Sequence, residues 1–108
     1  MKLIVAIINS DDANKVMSSL TEKGYSATKL NTTGGFLRAG NITLLIGVEK
    51  SKVDDVINII GEFSSQRKKI TSVSTPYIGE GIFSSMPVEV TVGGATIFVL
   101  DVEQFYKI

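Results

Sequence analysis

Every position from Leu3 to Ile8 is apolar, so both alternations of the run, Leu3-Val5-Ile7 and Ile4-Ala6-Ile8, require cover from water. A strand with that pattern belongs in the interior of a sheet. The period then changes. Ala13, Val16, Met17 and Leu20 recur at helical spacing behind Ser10-Asp11-Asp12, a cap followed by two acids suited to the positive end of a helix dipole, and Lys23-Gly24 is a stop signal. Tyr25 to Leu30 and Ile42 to Val48 read as two antiparallel strands of a long hairpin. Ser51 caps a second helix whose inward face is Val53, Val56, Ile57, Ile60 and Phe63, with Asp54 and Asp55 at its start. Ser64-Ser65 and the solvated cluster Arg67-Lys68-Lys69 end it.

Residues 70 to 87 contain both prolines, Pro76 and Pro87, with Gly79, Gly81 and several serines, and read as a long loop. Val88-Glu89-Val90-Thr91-Val92 alternates as a half-buried strand does, and Gly93-Gly94 suits a tight turn into Ala95 to Leu100, which predicts a second hairpin. The order strand, helix, strand, strand, helix, strand, with an added C-terminal strand, is an α+β ferredoxin-like split βαβ sandwich. Both helices then cover one sheet face, and the second alternation of the first strand stays in water unless another subunit covers it. A homo-oligomer is expected.

Composition narrows the chemistry. The 108 residues, 44% hydrophobic and 20% charged, predict a single domain over 1–108. Eleven basic residues balance eleven acidic ones, which removes the overall attraction that nonspecific nucleic-acid binding needs. The chain has no cysteine and no histidine, so the usual transition-metal ligands, thiolate nucleophiles and the side chain most suited to acid/base work at neutral pH are missing, which leaves carboxylates as the main alternatives and an enzyme poorly equipped. The lack of cysteine agrees with a reducing cytoplasm. The opening apolar run is too short for a bilayer span or a signal peptide. Asp11-Asp12 and Asp54-Asp55 read as helix starts and not as catalytic pairs, because adjacent helical positions point in different directions.

The candidate site lies in Thr32-Thr33-Gly34-Gly35-Phe36-Leu37-Arg38-Ala39-Gly40-Asn41, a glycine-rich segment with two hydroxyls, an aromatic ring and a cation between apolar runs. Such a set can receive an anionic ligand bearing a ring, although a hairpin loop needs only the glycines. Gly35 and Gly40 have the spacing of a phosphate-binding P-loop, but Asn41 stands in place of its lysine, and that motif needs a strand-to-helix turn.

The run Ala27 to Asn41, together with Pro87-Val88-Glu89-Val90-Thr91-Val92-Gly93-Gly94-Ala95-Thr96-Ile97-Phe98-Val99, closely resembles the PII-like cyclic di-AMP receptor family, and the similarity spans nearly the whole chain. The resemblance implies a non-enzymatic homotrimer, related in architecture to nitrogen-regulatory PII proteins, that binds cyclic di-AMP between subunits and signals to a downstream protein. It further implies that loops at 32–41 and 69–87 gain order with ligand. By position, Thr28, Gly35, Phe36, Leu37, Asn41 and Gly47 match pocket residues, and Phe98 matches an aromatic near the site. The chain departs from the family at Gly24-Tyr25-Ser26, where relatives commonly carry Asn-Phe-Arg, and also in Tyr77 to Met86 and in the tail Phe105-Tyr106-Lys107-Ile108. Those departures leave two alternatives open, a PII-like sensor of ATP or another adenylate, and a trimeric interaction module without nucleotide.

Overall fold

A computed structural model describes residues 1–30, 40–74 and 85–108. Strand β1 (Lys2–Asn9) leads into α1 (Ser10–Glu22), β2 (Ala27–Leu30), β3 (Asn41–Val48), a single 3-10 turn (Lys50–Lys52) and α2 (Val53–Ser64). Strands β4 (Arg67–Ser74), β5 (Ser85–Val92) and β6 (Ala95–Asp101) follow. The main sheet has the order β2-β3-β1-β6, with every neighbouring pair antiparallel, so the doubly apolar first strand is interior as its pattern requires.

The two alternations of β1 meet different surroundings. Ile4, Ala6 and Ile8 join Ile42, Leu44, Ile46 and Val48 of β3 beneath Ala13, Val16 and Leu20 of α1 and Val56, Ile59 and Ile60 of α2. This is the core; α1 follows the spacing read from the sequence, while in α2 Ile59 takes the inward place expected of Ile57, which lines a surface groove instead. On the opposite face Leu3, Val5, Ile7 and Leu45 are half-buried, while Leu30, Phe98 and Leu100 are exposed.

Helix starts differ in detail from the sequence reading. Asn9, not Ser10, caps α1: its side-chain oxygen accepts from the Asp11 N–H at 2.9 Å. Ser51 makes no capping bond, because the 3-10 turn carries the chain into α2. Asp55 in the first turn of α2 instead accepts a 2.5 Å hydrogen bond from the Tyr25 hydroxyl, which ties the α2 start to the turn before β2. That bond to the carboxylate raises the phenol pKa.

The described parts of the segment expected as a loop at 69–87, residues 69–74 and 85–87, belong to a two-stranded ribbon. β4 pairs antiparallel with β5 from Arg67↔Val92 to Ser74↔Ser85. Arg67, Lys68 and Lys69 therefore open a strand and do not close a helix. The expected hairpin between 88–92 and 95–100 does not form: β5 turns back on β4, and β6 pairs with β1 from Lys2↔Asp101 to Ile8↔Ala95. The physical reason is the second edge of β1. An apolar central strand needs a neighbour on both sides, and this demand sends the chain after Gly93-Gly94 into the main sheet, against the local turn signal.

Candidate functional site

The site residues expected from sequence fall into three groups. Gly35, Phe36 and Leu37 lie outside the described residues. Thr28 and Gly47 belong to the β2–β3 side of the open sheet face, whereas Asn41 opens β3 at its far end and Phe98 lies in β6.

Register fixes where they stand. Thr28 pairs with Leu45, Leu45 with Val5, and Val5 with Phe98, so these four residues form one row straight across the sheet. Thr28 and Phe98 are its two ends, three strand spacings or about 14 Å apart. One copy of the chain therefore does not bring them together. Gly47 pairs with Leu3 in the adjacent row. Its φ is ordinary and a Cβ there would meet nothing within 4 Å, so the chain's own packing does not demand glycine at that position.

Asn41 stands opposite Asn9 at the start of β3, where the Gly40 carbonyl accepts from the Ser10 N–H at 2.7 Å. This bond joins the end of the glycine-rich segment to the start of α1. Asn41 also lines a groove of about 590 Å³ with Gly61 of α2, Gln66, Gly93, Gly94 and Thr96. That volume is in the range of small-molecule sites. Ile7, Ile57 and Ile97 give it apolar wall, and the glycines leave parts of it without side chain, so a flat ring can approach closely. Gly61 is informative here. Glycine inside a helix costs about 0.5–1 kcal/mol relative to alanine, and no neighbour within 4 Å of a Cβ there explains the choice.

The wall formed by Gly93 and Gly94 is held from behind. Gly93 has φ +78°, and a Cβ there would stand 2.5 Å from Arg67 Nη1 and 2.9 Å from the Ser65 carbonyl oxygen, so both conformation and space require glycine. Arg67 Nη2 donates to Asp12 Oδ1 at 2.7 Å, and Nη1 donates to Asp12 Oδ2 and to the Ser65 carbonyl, both at 3.3 Å. Asp12 is buried. Its hydrogen bond and charge push the Arg67 guanidinium pKa further up, so that side chain stays cationic. The Gly94 N–H donates to the Ser64 carbonyl at 2.6 Å. Sequence reasoning missed this constellation. Asp12 read as a helix-start acid and Arg67 as a solvated cation, and nothing in their spacing announces that they meet.

Among the described residues no helix is long and apolar enough to cross a membrane, and no group of three or more acidic, cysteine or histidine side chains gathers as a metal site would.

Comparison with known proteins bears on the family and the fold. Residues 1–108 match the family described as cyclic-di-AMP receptor. A curated relative, the nitrogen fixation nifHD region GlnB-like protein 1 of Methanothermococcus thermolithotrophicus, is 33% identical over a match covering 82% of this chain and 88% of that protein. The crystal structure of a functionally unknown protein from Pediococcus pentosaceus superposes with a TM-score of 0.77 at 41% identity, covering 99% of this chain and 96% of the other. The PII-like, ferredoxin-like fold thus holds for this chain.

Proposed function

We propose, from the premise that this chain belongs to the cyclic-di-AMP receptor family, that it is a cytoplasmic, non-enzymatic receptor binding cyclic di-AMP between the subunits of a homotrimer. Its matches support a PII-like nucleotide-sensing role in signalling. The observation that carries the intersubunit reading is the placement of Thr28 and Phe98 at opposite edges of one register row.

In a closed ring of copies the β2 edge of each chain meets the β6 edge of the next, so the two ends of the row come together across every interface. Thr28 and Gly47 of one copy then face the groove, Asn41 and Phe98 of its neighbour. The same ring covers the apolar face carrying Leu3, Val5, Leu45 and Leu100. Backbone amides and the Thr28 hydroxyl suit adenine edges and phosphate oxygens, Gly47 and Gly61 admit close approach, and Phe98 offers a ring for apolar or stacking contact. Gly35, Phe36 and Leu37 complete the pocket in this reading, and Ser26 supplies no cation.

Signalling follows as a population shift. Ligand contacts made in only one arrangement of the 32–41 and 69–87 segments favour that arrangement, by no more than the ligand's differential affinity for the alternatives. A downstream protein reads the result. Calorimetric titration with cyclic di-AMP, cyclic di-GMP and ATP tests the ligand. Saturable heat with cyclic di-AMP and far weaker response to the other two is expected; selective binding of ATP would move the protein to adenylate sensing, and no saturation with any of them would make it an interaction module.

A further inference from the structure

Three ion pairs occur among the described residues, Lys2–Asp101, Arg67–Asp12 and Lys68–Glu89. They are not equivalent. Lys68 and Glu89 are both largely exposed, as is Asp101, whereas the Asp12 side chain keeps only 6% of its surface in water. A buried carboxylate that loses its cation is strongly destabilised, so this pair resists separation in a way that exposed pairs do not.

Its position gives that resistance a consequence. Asp12 lies in the first turn of α1 and Arg67 is the first residue of β4, so the pair joins the helical layer to the base of the ribbon. The ribbon's strands pair only with each other, and no main-sheet hydrogen bonding sets its direction. Neither Asp12 nor Arg67 lines the groove. Yet the guanidinium packs directly behind Gly93, where a Cβ would meet Nη1 at 2.5 Å and Asp12 Oδ2 at 3.3 Å. If Arg67 leaves Asp12, the support behind Gly93 leaves with it, and Gly93, itself a lining residue of the groove, is left as the loose joint between the ribbon and the anchored Gly94 and Ala95.

We propose that Asp12 and Arg67 are positioning residues for the ligand groove: their ion pair latches the β4–β5 ribbon to α1 and thereby holds the Gly93–Gly94 wall in its binding geometry. The latch couples the direction of the ribbon to the shape of the groove although neither residue touches a ligand there. It rests on the reading of the groove as part of the cyclic di-AMP site.

The test uses the variants Asp12→Asn, Arg67→Gln and Arg67→Lys, with Lys68→Gln as a neighbour that breaks only the exposed pair. Hydrogen exchange on ligand-free protein is expected to quicken at β4 and β5 amides in Asp12→Asn and Arg67→Gln while β1 and β3 amides keep their protection. Cyclic di-AMP affinity is expected to fall at least about fivefold, the lower end of typical coupling between sites. Lys68→Gln changes neither readout, and Arg67→Lys recovers part of both, because an ammonium can meet one carboxylate oxygen but not the pair. Unchanged ribbon exchange in both Asp12→Asn and Arg67→Gln overturns the latch, and faster exchange with unchanged affinity overturns its hold on the groove. The exchange measurement needs no ligand, so wild-type protein that fails to bind cyclic di-AMP defeats the functional reading while the latch is still judged on its own.

Discussion

Phe98→Asp is expected to yield a folded chain that sediments and scatters as a single 11.6 kDa species and has lost measurable cyclic di-AMP binding. The side chain is 53% exposed in the isolated chain and lies outside the core, so the substitution spares the packing of β1 and β3 beneath the helices. In the proposed ring the same position is covered by a neighbour. A carboxylate there must be desolvated against Val5, Leu45 and Leu100, at a cost of several kcal/mol for each ion, and every interface of the ring carries one. Association is therefore the quantity that collapses. Light scattering reads the mass and circular dichroism reads the fold; a variant that keeps the wild-type mass would show that the face holding Phe98 is not the contact between copies.

Gly93→Ala is expected to be the most damaging single methyl added near the site. An L-residue held at φ +78° costs about 1–3 kcal/mol. The space is also taken: the Ser65 carbonyl oxygen lies 2.9 Å from the new Cβ and belongs to the backbone, which cannot swing aside. The ribbon base has to shift to admit the methyl. Urea denaturation should report a lower midpoint, and hydrogen exchange should report lost protection in β4 and β5. Gly47→Ala is the contrasting case, since a Cβ there meets nothing within 4 Å. Equal stability losses for the two variants would contradict the close packing of Gly93 on Arg67.

Much of the main sheet was legible because its residues answer to one strong demand, removal of apolar surface from water. The double alternation of Leu3 to Ile8 required an interior strand, and the helical spacing of Val16 and Leu20 and of Val56 and Ile60 required two helices on one face. The ribbon obeyed no such demand. Lys68, Lys69 and Ile70 are all exposed, so the start of β4 shows no alternation between a wet and a dry face, and nothing in it pointed to pairing with β5. Gly93-Gly94 was recognised as a turn but given the wrong destination, because turn chemistry is local while the vacant edge of β1 is not. The Asp12–Arg67 pair joins residues 55 positions apart, a distance over which charge pattern alone selects no partner. Thr28, Asn41, Gly47 and Phe98 were chosen through family resemblance; only the register shows that Thr28 and Phe98 occupy opposite ends of one row.

The account turns on a pocket shared between copies. A crystal structure of the protein with cyclic di-AMP is its most direct measurement: the ligand should lie between Thr28 and Gly47 of one subunit and Asn41 and Phe98 of the next, with the groove beside Gly61 and Gly93 facing it. A ligand held by the residues of one subunit alone, or bound away from the β2 and β6 edges, would contradict it.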